Sequence, residues 1–290
     1  DLKEDGSFRL DQKYFDYSTG LKMINEEFEL LFGKPARRFD DEKIEQFHMD
    51  IAASIQDVIE KIVLNISDYI YKKYRVENLC LAGGVALNCV ANTKIQNNGK
   101  FKKIWVQPAA GDAGGSLGAA LLYWHDKTNR KRIINKNDSM KGSYLGFSYS
   151  NDEIANDLEK VGAKYERLDD ESIISMSAKL ISEGKIIGWF QGCMEFGPRA
   201  LGARSILADP RSTNMQKNLN LKVKFRESFR PFAPSILRED LSKWFDLNVD
   251  SPYMLLVANI NLDKKIEMKD DQKKLFGIDK LNIKRSEVPA

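Results

Sequence analysis

The sequence predicts an α/β protein with two domains, and three observations lead to this prediction. Short apolar segments alternate with amphipathic segments of helical period, which is the pattern of strands covered by helices. The length of 290 residues is too great for one ordinary domain and suits two. The polar and basic stretch Lys127–Lys141 separates the two patterns. We therefore predict one domain at residues 1–130 and a second at residues 141–290.

The first predicted domain begins with a charged, irregular stretch that ends at Phe39. One long helix follows, because apolar residues recur every three or four positions from Ile44 to Tyr69. Asp40 or Asp41 suits its N-cap, and two lysines suit its last turn. Strand and helix then alternate twice. The predicted strands are Asn78–Ala82 and Lys103–Gln107, and the predicted helices are Val85–Asn97 and Ser116–Trp124.

The second predicted domain continues the alternation. Helices are predicted at Asp152–Val161 and Glu171–Ser182, each closed by a glycine. Strands are predicted at Lys164–Leu168 and at Lys185–Phe190, the second of which is strongly apolar. The polar stretch Asp263–Lys274 is predicted to be a mobile loop or lid.

The charge balance and the cysteines limit the classes of partner. The 45 basic and 42 acidic residues nearly cancel, so a broad attraction to nucleic acid or to an anionic membrane is not indicated. The three cysteines form no CxxC pair, which argues against a disulfide scaffold or a zinc ribbon and favours a reducing cytoplasm. No apolar stretch is long enough to span a bilayer. Any anion must therefore be bound by a local cluster of cations.

Two glycine-rich segments follow predicted strands. In Leu81–Asn88, glycines after a strand allow close approach of a ligand, and the next helix offers free N–H groups to an anion. Close packing of strand and helix explains the same glycines equally well. In Pro108–Ser116, Asp112 suits either a metal ligand or, with better odds from the residues alone, a helix N-cap. His48 and His125 each lie alone, without a second histidine at metal-binding spacing.

The third motif is the most specific. Seven lysines and arginines lie among Gly, Pro, Phe and Ala in the two stretches 189–211 and 222–234, so we expect these cations to be partly buried. Burial of an unpaired cation costs several kcal/mol, roughly. Three carboxylates, those of Glu195, Asp209 and Glu227, cannot neutralise all seven charges. The deficit predicts an anionic ligand such as a phosphate, for which arginine offers a planar donor fork. A structural arginine–carboxylate network or an RNA-binding patch are the alternatives.

Four segments resemble the NodU/CmcH-type O-carbamoyltransferase family: AGGVALN, PAAGDAGGSLGAA, GCMEFGPRALGARSILADPR and KFRESFRPFAPSIL. The resemblance covers nearly the whole chain. It implies the second lobe of an actin-like (ASKHA, Kae1-like) domain followed by a YrdC-like α/β domain. It also implies that the YrdC-like domain makes carbamoyl-adenylate from carbamoyl phosphate and ATP. The Kae1-like domain would then transfer the carbamoyl group to a hydroxyl of a small acceptor and release AMP.

The resemblance also implies roles for individual residues. Asp112 would ligate an iron-type metal (Fe²⁺) that polarises the carbamoyl carbonyl, and Mg²⁺ would accompany ATP. The implied nucleotide contacts are Gly83, Gly84, Asn88, Gly114 and Ser205, the last through its hydroxyl. The implied catalytic cations, which line the carbamoyl-phosphate and ATP pocket, are Arg199, Arg204, Lys224, Arg226 and Arg230.

The sequence departs from the family at the metal site, because it contains no HxxxH pair. We expect the paired histidines, one of which would serve as base, to lie in a lobe upstream of Asp1, and the YrdC-like domain to continue beyond Ala290. Two other functions stay open: a threonylcarbamoyl-adenylate enzyme that modifies tRNA, and a non-catalytic nucleotide-binding module. The acceptor hydroxyl and the oligomeric state are not encoded in these motifs.

Overall fold

A computed structural model describes residues 1–37, 43–135 and 137–288 of the chain. The chain forms two compact units. The first comprises Asp1–Leu79 and Thr93–Ile104, and the second comprises Cys80–Asn92 and Trp105–Ala290. Both contain helices, and the strands are short, so the fold belongs to the predicted mixed α and β class. The functional division at residues 130 and 141 stays a prediction.

The opening stretch of the first unit is more regular than predicted. A 3₁₀ turn at Gln12–Tyr14 is followed by helix α1, Glu26–Phe32. The side chain of Asn25 caps α1 by accepting a hydrogen bond of 3.3 Å from the backbone N–H of Phe28. The prediction of an irregular segment was wrong here because seven residues between a cap and a glycine are too few to show a helical period.

Helix α2, Gln46–Tyr74, confirms the predicted long helix and its basic last turn. Asp40 and Asp41, the predicted caps, lie outside the described residues, and the N-cap position is held by Glu45. The ring Nδ1 of His48 accepts a hydrogen bond of 3.0 Å from the backbone N–H of Glu45. His48 therefore serves the start of the helix, which agrees with the structural role favoured for this lone histidine.

The predicted apolar stripe of α2 is only partly covered. Phe47, Ile51 and Ile62 are half-buried, whereas Ile55, with 54% of its surface exposed, and Val58 stay accessible. Burial also reaches residues beside the stripe, since Ser67 is buried and the ring of Tyr71 meets Phe101 edge-on at 5.6 Å. Periodicity identified the helix, but the packing partner decides which face is covered.

Strand β1, Asn78–Leu81, pairs with strand β2, Lys103–Val106, and helix α3, Cys89–Asn97, connects them. The N–H groups of Lys102 and Gln107 donate to the carbonyls of Glu77 and Leu81, so the bonds advance in the same direction along both segments, as in a parallel pair. The predicted helix from Val85 is divided into a 3₁₀ turn, Gly84–Leu87, and α3.

The second unit continues with three helices. Helix α4, Asp112–Leu122, starts four residues earlier than predicted and runs into a π turn at Tyr123–Lys127. The described residues between 128 and 140 form no helix or strand. Helices α5, Asn151–Lys160, and α6, Asp170–Ser182, confirm the predictions.

The next sheet is an antiparallel pair. Strand β3, Ile187–Phe190, was predicted and pairs with β4, Arg204–Leu207, which was not. The predicted strand Lys164–Leu168 is wrong, because this segment has no strand partner and connects α5 to α6 as irregular chain. A short extended segment needs a partner strand before it becomes part of a sheet.

The remaining elements are short, and the core beneath them is built mostly of small and medium side chains such as Ala109, Ala110, Ala203 and Leu219. The elements are α7 Met215–Asn218, a π turn Leu219–Val223, α8 Leu241–Trp244, β5 Phe245–Asp246 paired with β6 Asn259–Ile260, α9 Asp270–Lys273 and α10 Gly277–Leu281. None of the helices among the described residues is both long and apolar enough to cross a membrane.

Candidate functional site

The glycine loop, residues 82–88, follows β1 and belongs to the second unit. Gly83 has a φ of +97°, which suits glycine alone. A Cβ placed on Gly83 or Gly84 would have no atom within 4 Å. Close packing therefore does not explain these two glycines, and the loop has free space beside its backbone for a ligand. The N–H of Gly83 donates to the carbonyl of Ala110 at 2.7 Å, which joins this loop to the second glycine segment.

Two asparagines hold the end of the glycine loop. Asn88 caps α3, since its side-chain oxygen accepts a hydrogen bond of 3.1 Å from the N–H of Ala91. Asn92 is buried, and its amide donates to the carbonyls of Ala86 at 2.8 Å and Leu255 at 3.0 Å. The structure thus gives Asn88 a capping role beside its predicted nucleotide contact. Asn92 was missed because nothing in its sequence neighbourhood marks it as buried.

Asp112 begins α4, and the N-cap is the preceding Gly111. The structural alternative, Asp112 as N-cap, is therefore wrong. The carboxylate is exposed and makes no hydrogen bond or ion pair with a described residue. Gly114 has a packing explanation, since a Cβ there would lie 2.2 Å from the carbonyl oxygen of Ala109. Its predicted nucleotide contact stays a prediction.

The first arginine segment, residues 192–211, meets both glycine segments. A Cβ on Gly197 would lie 3.3 Å from Ala109, so the backbones pass very close to one another. Arg199 donates from Nη2 to the carbonyl of Leu87 at 3.1 Å. Its Nε is buried and has no acceptor among the described residues. A buried donor without an acceptor is unfavourable, so this position favours an additional acceptor beside the glycine loop.

Arg204 is bound to backbone oxygens. Its Nη1 donates to the carbonyls of Gln191, Gly192 and Ala203 at 3.2, 3.2 and 2.8 Å. The guanidinium also lies over the ring of Phe190, 3.3 Å from the ring centroid. This cation holds the turn after β3, and a phosphate would have to displace these bonds.

Glu195 organises the same segment from inside. Its Oε1 accepts hydrogen bonds from the N–H groups of Leu201, Ala203 and Arg204 at 2.7, 2.8 and 3.3 Å. Burial raises the pKa of this carboxyl, but the backbone donors outweigh burial and hold the pKa below its usual value. Sequence reasoning treated Glu195 as a partner for arginine side chains, whereas the structure pairs it with backbone.

The hydroxyl of Ser205 accepts a hydrogen bond of 2.9 Å from the N–H of Gly202. Residues 143–147, which form no β-strand, also contact the first arginine segment. The carbonyl of Ser143 accepts from the N–H of Phe196 at 2.6 Å, and Gly146 donates to the carbonyl of Met194 at 2.9 Å. The segment is therefore held mainly by backbone bonds.

The cation loop, residues 220–230, is built on Asn220, which has no exposed surface. The side-chain oxygen of Asn220 accepts from Arg226 Nε at 2.6 Å. Its amide donates to the carbonyls of Ser228 and Arg230 at 3.1 and 2.8 Å. The Asn220 carbonyl accepts the N–H of Arg226 at 2.9 Å. One neutral side chain thus fixes the loop.

The cations of this loop face outward. Lys222 and Lys224 are exposed and have no hydrogen bond or ion pair with a described residue through their side chains. Arg226 is half-buried, with its guanidinium 5.0 Å from the ring centroid of Phe232. Arg230 is exposed and pairs with Glu227 at 2.7 Å.

The structure corrects the expectation that all seven cations are partly buried. Arg199, Arg204 and Arg226 are, but Lys224 and Arg230 are exposed, as are Lys222 and Arg211. Among the described residues, no side-chain hydrogen bond or ion pair joins Arg199 or Arg204 to the cation loop. The five predicted cations therefore lie in two settings: beside the glycine loop and its neighbouring turn, and on the cation loop.

The metal prediction rests on Asp112 alone. Its exposed, unpaired carboxylate suits one ligand of a hard cation. In the described ranges, no group of three histidine, cysteine, aspartate or glutamate side chains completes a metal site. The described residues therefore supply one metal ligand rather than a complete metal site.

A glycine loop with open space, an orphaned arginine donor and unpaired lysines on a fixed loop are features of this α/β protein that suit an anionic ligand. Comparison with known proteins specifies the family. The model of the Carbamoyltransferase N-terminus matches residues 1–121, and that of the Carbamoyltransferase C-terminus matches residues 178–277. The chain belongs to the carbamoyltransferase family of transferase enzymes, as the resemblance predicted.

Three relatives illustrate the match. An uncharacterized protein of Synechocystis is 53% identical over 292 residues, which is 100% of this chain and 47% of that protein. The nodulation protein NolNO of Sinorhizobium fredii is 40% identical over 76% of this chain and 32% of its own length. A 3'-hydroxymethylcephem-O-carbamoyltransferase of Streptomyces clavuligerus is 34% identical over 63% of this chain and 32% of its own length. The chain spans a third to a half of these relatives.

Proposed function

We propose that this chain is part of an ATP-dependent O-carbamoyltransferase. The enzyme would form carbamoyl-adenylate from carbamoyl phosphate and ATP, with consumption of water and release of phosphate and pyrophosphate. It would then transfer the carbamoyl group to a hydroxyl of a small acceptor and release AMP. Membership of the carbamoyltransferase family and the O-carbamoyltransferase among the relatives support the proposal that the transferred group is a carbamoyl group. We also propose the arrangement of an actin-like lobe followed by a YrdC-like domain, and a cytoplasmic location.

The cation loop is the observation that carries the proposal. A loop fixed by a fully buried asparagine presents Lys222 and Lys224 without any partner among the described residues. Flexible surface lysines normally need no such support. Both proposed donors, carbamoyl phosphate and ATP, carry several negative charges, and charged hydrogen bonds to phosphate contribute about 1.5–3 kcal/mol each.

The remaining predicted residues take supporting roles in this proposal. Arg226 binds phosphate through its Nη groups, which make no hydrogen bond with a described residue, and Arg230 supports the loop through Glu227. Arg199 and the open backbone at Gly83 and Gly84 offer a second set of donors for a nucleotide. Arg204 holds the turn after β3 in position.

In the whole enzyme, Fe²⁺ ligated in part by Asp112 would act as a Lewis acid toward the carbamoyl carbonyl, and Mg²⁺ would accompany ATP. Asp112 has the exposed carboxylate that this role needs.

A ligand titration followed by thermal unfolding tests the proposal. Carbamoyl phosphate, or ATP with Mg²⁺, at a hundred times its dissociation constant should stabilise the protein by about 2.7 kcal/mol. Lys224→Ala should lose most of this stabilisation. Lys185→Ala is the matched control, since Lys185 is another exposed lysine of the second unit without an ion pair to a described residue.

Two results would contradict the proposal: no stabilisation of the unmodified protein by either ligand, or equal stabilisation of Lys224→Ala and Lys185→Ala. The complete reaction is tested separately on the longer protein. AMP should be released only when carbamoyl phosphate, ATP and a hydroxyl acceptor are all present. AMP release without carbamoyl phosphate would exclude carbamoyl-adenylate as the intermediate.

A further inference from the structure

Phe225 lies in the cation loop between Lys224 and Arg226 and has two unusual properties. Its φ is +48°, in the left-handed region that large side chains rarely adopt. Its side chain is 84% exposed, although phenylalanine is among the residues most often buried. A single exposed aromatic residue is ordinary, but an exposed one in a strained backbone conformation is not.

The surrounding bonds impose this conformation. After Phe225, the backbone and side chain of Arg226 are both bound to Asn220, at 2.9 and 2.6 Å. Before it, the N–H of Lys224 donates to the carbonyl of Leu219 at 2.9 Å. Asn220 and Leu219 are themselves buried. The chain is therefore fixed on both sides of Phe225, and the fold turns the ring toward solvent.

The chemistry around the ring indicates what would cover it. The unpaired lysines of the loop favour an anion, while the exposed ring favours a flat, apolar or aromatic surface. The neighbouring guanidinium of Arg226 already lies over Phe232 and does not cover Phe225. A purely apolar partner would bring the lysines into an unfavourable environment. A nucleotide combines the two required features, since its base is a flat ring and its phosphates are anionic.

We propose that Phe225 is a stacking residue for the base of a bound nucleotide, beside the lysines that hold its phosphates. This inference rests on the proposed function and extends it, because it assigns the nucleotide, as well as the phosphate group, to the cation loop. The strained backbone serves to present the ring face to the base. Stacking on an aromatic ring tolerates any base, so adenine and cytosine nucleotides should both benefit.

The test compares the binding of Mg²⁺-ATP with that of inorganic tripolyphosphate to the full chain. The unmodified protein should bind ATP more tightly, and Phe225→Ala should weaken ATP binding by roughly 5- to 100-fold while tripolyphosphate binding stays unchanged. Phe225→Gly accepts the positive φ without strain but lacks the ring, so it should weaken ATP binding equally. Phe276→Ala removes another exposed phenylalanine and should change nothing.

A second measurement does not depend on the alanine variant being stable. Phe225→Trp keeps a ring, and its fluorescence, measured against the unmodified protein with its four tryptophans, should change with ATP but not with tripolyphosphate. An unchanged signal at saturating ATP would overturn the proposal.

The outcomes separate this inference from the proposed function. If ATP binds and Phe225→Ala and Phe225→Gly bind it as well as the unmodified protein, the stacking role is wrong and the proposed function stands. If carbamoyl phosphate, ATP and tripolyphosphate all fail to bind, both proposals are wrong. Binding of a single-stranded RNA without measurable binding of ATP would also overturn the stacking of a free nucleotide.

Discussion

Two regions of this protein are alike in composition and different in construction. The first arginine segment and the cation loop both mix cations with phenylalanine and aliphatic residues. In the first, Arg204 donates to backbone carbonyls and Glu195 accepts hydrogen bonds from backbone N–H groups. In the second, a neutral residue, Asn220, makes the structural bonds and the lysines remain exposed. A cation-rich motif is therefore not one kind of site, because some of its charges support the backbone and others stay accessible to ligands.

Of the substitutions considered for these two regions, we expect the largest loss of stability at Asn220. Asn220→Ala should lower the free energy of unfolding by about 3 kcal/mol, because it removes several hydrogen bonds at a fully buried position. Chemical denaturation measures this loss. Asn248→Ala, at an exposed asparagine, is the control and should change stability by less than about 0.5 kcal/mol. A loss as small as that of the control would show that the loop is not held by this residue.

Arg204 and Lys224 test the difference directly. Arg204→Ala should cost about 2 kcal/mol of stability, because it leaves several carbonyls and the ring of Phe190 without their partner. Lys224→Ala should leave the denaturation midpoint unchanged, since no described residue pairs with its side chain. Equal losses of stability in the two variants would contradict the view that Arg204 supports the backbone and Lys224 does not.

The contribution of Glu195 to the stability of the fold should depend on pH. Its folded pKa lies below the ordinary value of about 4.3, so its contribution to stability is present above that pH and is lost as the pH falls further. Glu195→Gln should cost about 1 kcal/mol at pH 7 because charged acceptors bind N–H groups more strongly than amides do. The variant should also lose less stability than the unmodified protein between about pH 4.3 and 3. Parallel curves for the two proteins would contradict this role.

The smallest effect is expected at Ser143, whose carbonyl supports the first arginine segment. Its hydroxyl is buried without a partner among the described residues, and its φ is +66°. Ser143→Gly removes the hydroxyl and relieves the strain, and should stabilise the protein by roughly 0.5–1 kcal/mol. Ser143→Ala, which keeps the strain, should stabilise it less. Thermal unfolding of the pair measures the difference, and destabilisation by both variants would reveal a bond that the hydroxyl makes in solution.

The long and well-capped helices were predictable because their signals are local. Helices α2, α5 and α6 show clear period and end signals, and the strand β3 is a strongly apolar run. Strand β4 was not predictable, because Arg204–Leu207 is short, starts with a cation and becomes a strand only by pairing with β3. The segment Lys164–Leu168 shows the reverse case, a predicted strand that has no partner.

The site was predictable in kind but not in detail. The glycine loop and the cations were identified from residue types that suit anions. Asn220 and Asn92 were missed, because a buried amide looks in the sequence like any polar residue. Their importance arises from backbone groups that only the folded chain brings together.

The sequence by itself determined the family, the main helices and the local clusters of cations, because motifs, periodicity and local composition are properties of neighbouring residues. Only the tertiary structure decided which cations support the backbone and which remain exposed. The outcome depends on which backbone carbonyls and N–H groups lack a backbone partner after folding. Asn220, Glu195 and Arg204 bind such groups through contacts that form only in the folded chain. The outward ring of Phe225 follows from the same contacts, since its neighbours are fixed before any ligand binds.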